Sequence, residues 1–368
     1  MKKAIILGGG VTGCVSAKEL GKKGYQVTLI EKNPYLGGGC HTFFMGGHPY
    51  TEGPRFLTVT DEKIFDYIDE IVPLRRFALY EDTYIEQDQA FYSYPMHWDD
   101  IQVMPDFEKI KSELDNRPEN VRADNFEDGW INAVGPTLYG KYVKNYTEKM
   151  WKVKSNKELD GYEWSVKGFT IQHGERNVTD LGTDKHAHPF EKEGFNRFFD
   201  TCVESADVRL NTEVKHVDLE QKKVYLGDEE IIGDVIISTL PLEELMENTY
   251  GSLRYIGRDF YPIVLPIEHL FKDGHHFLYY PNGEKHTRIV EYKNLTLHEA
   301  PDTLIVVEVP SMNGKLYPCE MMTEERRKAD LYKKALPDNV FSLGRLGSYQ
   351  YTGIAQCIEQ VWDLVKEL

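Results

Sequence analysis

At 368 residues, with 41% apolar and 28% charged positions, the chain is long enough for one large core or two to three modules, which excludes a small disulfide-stapled fold. Its 43 basic and 60 acidic residues leave a net charge of -17, a field that repels phosphate backbones and argues against a nucleic-acid partner. No apolar run approaches the roughly 20 residues needed to span a bilayer, so no transmembrane segment is expected. Met1-Lys2-Lys3 leads straight into a strand-like run with no apolar signal stretch, and a cytoplasmic location is predicted. Cys14, Cys40, Cys202, Cys319 and Cys357 are odd in number and lack a C-x-x-C pair, which suits reduced, packed thiols better than a disulfide frame or a zinc site.

Residues 3–7 have a buried-strand pattern, Gly8-Gly9-Gly10-Val11-Thr12-Gly13 follows at once, residues 14–23 have helical spacing, and 25–30 return as a second strand. In such a βαβ unit Gly8 permits the tight turn and Gly10 lets a pyrophosphate approach the backbone. Gly13 lets the helix lie close to the strand, and the N–H groups around Val11 and Thr12 face the phosphates. Glu31, followed by Lys32, stands at the end of the second strand, where a carboxylate accepts hydrogen bonds from an adenosine ribose. The glycine motif alone does not choose between FAD and NAD.

Asn33-Pro34-Tyr35-Leu36-Gly37-Gly38-Gly39 resembles the second glycine cluster of FAD proteins of the amine-oxidase and sugar-mutase type. Near the other end, a strand-like 340–343, Gly344-Arg345, Tyr349, Tyr351 and a helical 353–368 match the order of the carboxy-terminal flavin segment of that superfamily. There the final helix, beginning at Gly353 here, directs its positive end at the flavin. FAD is therefore the expected cofactor.

Contacts from both ends to one cofactor imply a discontinuous FAD domain. The expected division is 1–75, 195–245 and 335–368 for FAD, 100–165 for a helical cap, and 76–99, 166–194 and 246–334 for a mixed β-sheet substrate domain. Residues 61–72 read as an amphipathic helix with an acidic cap. Residues 208–210, 214–219 and 223–226 alternate like short antiparallel strands, 234–241 resembles a strand returning to an FAD domain, and 303–309 reads as a further strand. The fold class is α/β: a Rossmann-like FAD-binding domain, a mixed β-sheet substrate domain and an inserted helical cap.

Asn145-Tyr146-Thr147-Glu148-Lys149-Met150-Trp151 with Ser155-Asn156-Lys157-Glu158-Leu159 resembles a stretch of the UDP-galactopyranose mutases. Tyr250-Gly251-Ser252-Leu253, His286 to Glu291, Leu316-Tyr317-Pro318 and Gly344 to Tyr351 have counterparts at similar separations, so the resemblance runs over nearly the whole chain. It implies a redox-neutral isomerase acting on a nucleotide-diphosphate sugar, UDP-galactose-like, for cell-surface polysaccharide synthesis. In that family N5 of reduced FAD attacks the anomeric carbon, so no side chain is expected as nucleophile. The resemblance further implies that Arg288 and Arg345 hold the diphosphate, that Tyr317 and Tyr351 contact it, and that Tyr146 and Trp151 line the sugar site. Gly38, Gly39, Gly344 and Gly353 join the cofactor contacts. A flavin reductant and a homodimer are the other expected partners.

The chain departs from the family where sugar and flavin meet. Gly53-Pro54-Arg55-Phe56-Leu57-Thr58 replaces a stretch carrying two histidines, and Arg55 offers either a cation near the flavin or a salt bridge to Glu52. The family's mobile-loop arginine falls near Lys167 to Thr170, and another falls near Ile256, between Arg254 and Arg258. Thr352 and Gly353 follow Tyr351 where the family has an acid. His186 and His188 could pair on a metal, but a solvated loop is the better expectation, and no metal is assigned. Two other readings stay open: an oxidoreductase of the amine-oxidase or desaturase type, and a noncatalytic FAD-binding protein.

Overall fold

The run Ala4-Ile5-Ile6-Leu7 is apolar on both faces, as a strand covered on both sides must be, and it forms the central strand Lys3–Leu7 of the computed structural model. The structure describes residues 1–160, 171–174, 185–271 and 274–368. Lys3–Leu7 pairs in parallel with Gln26–Ile30 on one side and Val235–Ser238 on the other. Asp207–Arg209 and Val340–Ser342 complete this five-stranded parallel sheet at its two edges. The helices Val11–Lys22 and Ile354–Glu367 pack together, burying Val15, Leu20, Ile358 and Val361 in one core with Leu29 and Phe198. Chain start, middle and end thus meet in a single apolar layer.

One expected pairing is different. Asp207–Arg209 joins the parallel sheet, and only His216–Asp218, Lys223–Leu226 and Glu229–Ile232 form an antiparallel meander. Alternation identifies a strand but not which free edge it will find, and here the open edge of Gln26–Ile30 takes it.

The second sheet has seven strands in the order Tyr317–Pro318, Tyr255–Leu265, Thr303–Ser311, Arg288–Glu291, His275–Tyr279, Tyr80–Ile85 and Ala90–Tyr94. All neighbours are antiparallel except Tyr80–Ile85 with His275–Tyr279. The helices Phe107–Asp115, Phe126–Tyr139 and Asn145–Trp151 share a core with this sheet, in which Trp130, Leu138 and Trp151 pack with Ile256 and Tyr317. Asn125 caps the middle helix by accepting the Asp128 amide at 3.0 Å. Asp61 likewise accepts the Lys63 amide at 2.9 Å, opening the expected amphipathic helix at Glu62–Asp69.

A third sheet joins Leu57–Thr58, His186–Pro189 and Leu74–Phe77. The solvated loop expected at His186 and His188 is therefore a central strand with both imidazoles buried. Ala187 between them is completely buried in the first core, and the strand's partners lie more than a hundred residues away, so local polarity misled. Among the described residues, no helix is long and apolar enough to cross a membrane.

Candidate cofactor and substrate site

The cofactor half of the site is built from glycines whose missing side chains define its shape. Gly8 turns the chain at φ +99° while its amide donates to the Ile30 carbonyl at 2.8 Å. A Cβ on Gly13 would lie 1.9 Å from the Gly8 carbonyl oxygen, so the first helix can sit this close to the strand only with glycine there. At Gly10 the added Cβ would meet no atom within 4 Å. That open space lies before the amino terminus of the twelve-residue helix Val11–Lys22, where unpaired N–H groups and the helix dipole favour a phosphate.

Glu31 is buried and pinned by two backbone amides, Gly9 N–H donating to Oε2 at 2.7 Å and Asn33 N–H to Oε1 at 2.8 Å. Each oxygen retains a lone pair for a ribose hydroxyl. Lys32, Gly38 and Gly39 continue the same wall. Arg55 crosses to it, donating from Nε to the Gly39 carbonyl at 2.8 Å and from Nη2 to the Glu52 carbonyl at 2.7 Å. Its link to Glu52 is thus to the main-chain carbonyl and not the side-chain salt bridge that was one of the two readings of Arg55. From the far end of the chain, Gly344 fits against Thr12, whose Oγ1 would lie 2.6 Å from an added Cβ, and Gly353 opens the last helix.

These residues line a cavity of about 1310 Å³ that continues into a wall of arginines and tyrosines. The antiparallel register places Arg288 opposite Glu308 on adjacent strands. Arg288 donates to Glu308 Oε2 from Nε at 3.0 Å and from Nη2 at 2.6 Å. Arg258, from the neighbouring strand, pairs with the same oxygen through Nη1, and Glu308 is fully buried. Two guanidinium groups sharing one carboxylate carry a net positive charge. Burial alone would raise the Glu308 carboxyl, but Arg288 and Arg258 outweigh it and hold it below the usual carboxylate range.

Tyr317 lies under this pair, its ring 5.2 Å from the Arg258 guanidinium, and stacks on Tyr351 with centroids 5.5 Å apart. Burial pushes the Tyr317 hydroxyl up, yet Arg258, Arg55 and Arg288 together hold it below the ordinary phenol value. Burial and the neighbouring Tyr317 push Tyr351 the other way. Arg345 packs 4.8 Å over Tyr351 and donates from Nε and Nη2 to the Thr352 carbonyl at 3.0 and 2.6 Å. Tyr146 meets Tyr279 edge-on at 5.8 Å, and both line the cavity with Trp151.

Every residue that the sequence assigned to cofactor or nucleotide sugar lines this cavity except Gly13, which lies beneath it between helix and strand. Of the two arginines flanking Ile256, Arg258 enters the cavity. Arg254 instead closes a helix end, donating to the carbonyls of Trp151 and Lys152 at 3.0 and 2.8 Å. Lys167 to Thr170 lie outside the described residues. Glu308 was missed, although an acid inside the apolar run Leu304-Ile305-Val306-Val307-Glu308-Val309 is a visible signal, because a buried carboxylate requires a partner. Gln172, Thr83 and His186, also on the wall, carry no such signal. Among the described residues, no group of three or more His, Cys, Asp or Glu side chains could hold a metal ion.

Comparison with known proteins agrees with this geometry. A model of the UDP-galactopyranose mutases matches residues 141–351, and one of NAD(P)-binding Rossmann-like domains matches residues 6–71. The UDP-galactopyranose mutase of Mycoplasma pneumoniae is 22% identical over 97% of this chain and 93% of its own. A probable UDP-galactopyranose mutase of Klebsiella pneumoniae is 21% identical over 95% and 90%. A 1-hydroxycarotenoid 3,4-desaturase of Flavobacterium sp. is 38% identical, but over only 27% of this chain and 19% of its own. Among solved structures, a reduced UDP-galactopyranose mutase superposes over 100% of this chain and 93% of its own with a TM-score of 0.85 at 18% identity. A putative protoporphyrinogen oxidase from Exiguobacterium sp. gives 0.71 at 11% identity, over 100% and 99%. The open space at Gly10, the pinned Glu31 and the arriving last helix fit a dinucleotide, and FAD is the one this fold carries. More than half of the chain answers to the mutase model, and the protein belongs to the UDP-galactopyranose mutase family of FAD-dependent isomerases.

Proposed function

We propose that the protein interconverts the pyranose and furanose forms of a UDP-galactose-like nucleotide sugar, in support of cell-surface polysaccharide synthesis. The observation that carries this reading is the cationic pair Arg258 and Arg288, held by one buried Glu308 and opening into the same cavity as the dinucleotide cradle. Reduced FAD, when bound, supplies the nucleophile for the anomeric carbon. The chain's own task is to hold the glycosyl group still and to accept the departing diphosphate.

In this assignment Arg258, Arg288 and Arg345 take the diphosphate, and their charge matters most as the glycosidic C–O bond breaks and its electron pair moves onto phosphate oxygen. A guanidinium already fixed by Glu308, or by the Thr352 carbonyl, needs no reorganisation at that moment. The Tyr317 hydroxyl, acidified by three arginines, is a strong hydrogen-bond donor to the same oxygens. Tyr146 and Trp151 screen the sugar from water. The residues assigned to FAD are Gly8, Gly10, Val11, Thr12, Glu31, Lys32, Gly38, Gly39, Arg55, Gly344, Arg345 and Gly353, with Gly13 supporting them from below. A cytoplasmic location, an external flavin reductant and a homodimer complete the proposal.

Anaerobic incubation of the dithionite-reduced protein with UDP- and dTDP-hexopyranoses, followed by chromatography, tests it. A furanose isomer with no net flavin oxidation is expected. Reduction of the oxidised flavin by a substrate, with no furanose formed, overturns the mutase assignment in favour of an oxidoreductase.

A further inference from the structure

His186 belongs to the central strand of the small sheet and is only 6% exposed, yet it lines the main cavity. Its ring lies edge-on to Phe56 at 4.9 Å and tilted to Phe77 at 5.9 Å. Nδ1 meets the Thr58 hydroxyl at 3.4 Å across the strand pair. Nε2 is buried and has no hydrogen-bond partner among the described residues. Buried polar atoms are rarely left in that state, and one on a cavity wall is explained by a group that binds there.

The position indicates which group. Thr58 follows three residues after Arg55, which is tied to the glycine turn of the cradle. The strand Leu57–Thr58 also packs against the last helix, whose first residues line the cavity. On the other side, Phe56 stacks on Phe277 at 6.3 Å, and Phe277 carries the Arg288 guanidinium at 5.1 Å. The imidazole therefore lies between the dinucleotide cradle and the arginine wall, where the reactive end of the cofactor must meet the sugar.

We infer that His186 is a flavin ligand, its Nε2 hydrogen-bonding the polar edge of the isoalloxazine so as to favour the reduced form. This rests on FAD occupying the cavity. Surrounded by Phe56 and Phe77, the imidazole is neutral; burial takes it down to about 4. A neutral ring offers one donor and one acceptor, and the Thr58 hydroxyl, which can donate or accept, pairs with Nδ1 in either tautomer and leaves Nε2 for the cavity. An Nε2–H would meet the charge of reduced flavin at N1–C2=O. An Nε2 lone pair would meet the N5–H that reduced flavin has and oxidised flavin lacks. Either tautomer prefers the dihydro form.

The test is the midpoint potential of the bound flavin, measured by dye equilibration on purified holoprotein. His186→Phe keeps the ring volume and should lower the preference for reduced over oxidised flavin about tenfold, a displacement of about 30 mV to more negative potential. His186→Asn, which keeps a donor and an acceptor, should recover part of it. Thr58→Val, which removes only the Nδ1 partner, should shift the potential the same way by less, and this variant decides the matter if His186→Phe does not fold. An unchanged potential in folded, flavin-loaded His186→Phe, or in Thr58→Val should that be the variant left to measure, overturns the inference. A wild-type protein that takes up no FAD would overturn the cofactor assignment instead, and one that binds FAD but makes no furanose would overturn only the mutase reaction.

Discussion

Glu308 is the residue on which the arginine wall depends. Two guanidinium groups this close repel each other, and the shared carboxylate allows both to remain buried. Glu308→Gln keeps the shape and removes the charge, leaving two uncompensated cations. Unfolding by urea should show a loss of about 3–5 kcal/mol. Arg288→Ala has the milder expected outcome: Glu308 stays paired with Arg258, FAD is retained, and nucleotide-sugar affinity falls at least about tenfold by calorimetry. Unchanged affinity would remove Arg288 from the diphosphate site. Histidine burial sets a separate pH limit. His186 and His188 are taken down to about 4 and His276 to about 3, in each case first by burial. The unfolded chain therefore binds up to three more protons than the folded one below about pH 6.5. Stability is whole above that pH and falls toward pH 4, by up to roughly 4 kcal/mol per pH unit where all three differ. Urea midpoints at pH 7.5, 6 and 5 should decline in that order, and a flat series would show that these rings are not held neutral.

At the scale of elements, the strand-turn-helix unit separates two roles for glycine that its motif does not distinguish. Gly10 has ordinary φ of -74° and free space before it, so Gly10→Val should fold with nearly normal stability and yet come out of purification without yellow colour. Gly13 faces a carbonyl oxygen, so Gly13→Ala should damage the fold by forcing helix and strand apart. Thermal unfolding and flavin absorbance on the two variants check this contrast; a flavin-loaded Gly10→Val protein would contradict it. Both glycines were legible because the βαβ pattern is local. The strand Asp207–Arg209 and the strand His186–Pro189 were misread because their partners are remote, and a short alternating segment carries no record of the edge it will pair with.

Across the whole molecule, the cavity is bounded by the dinucleotide fold, the helical layer and the seven-stranded sheet at once. A ligand that touches all three should couple their stabilities. FAD added at a thousandfold excess over its Kd should stabilise the apoprotein by about 4 kcal/mol. Hydrogen exchange should slow in the cradle and in the arginine-bearing strands together. Protection confined to the cradle would indicate that FAD stops short of the arginine wall.

The sequence by itself determined the parts that are contiguous: the glycine turn, Glu31 at the strand end, the amphipathic helices, and the aromatic and arginine motifs whose spacing resembles the mutases. These are legible because backbone geometry and periodicity act over a few residues. Only the tertiary structure decided that Arg258 and not Arg254 enters the cavity, that Arg55 spends its donors on main-chain carbonyls, and that one buried Glu308 holds two arginines. It also decided that His186 leaves the expected loop for a cavity wall. Each of those outcomes turns on which distant strands are neighbours, and burial then sets the charge and the hydrogen-bonding demand of every side chain placed between them.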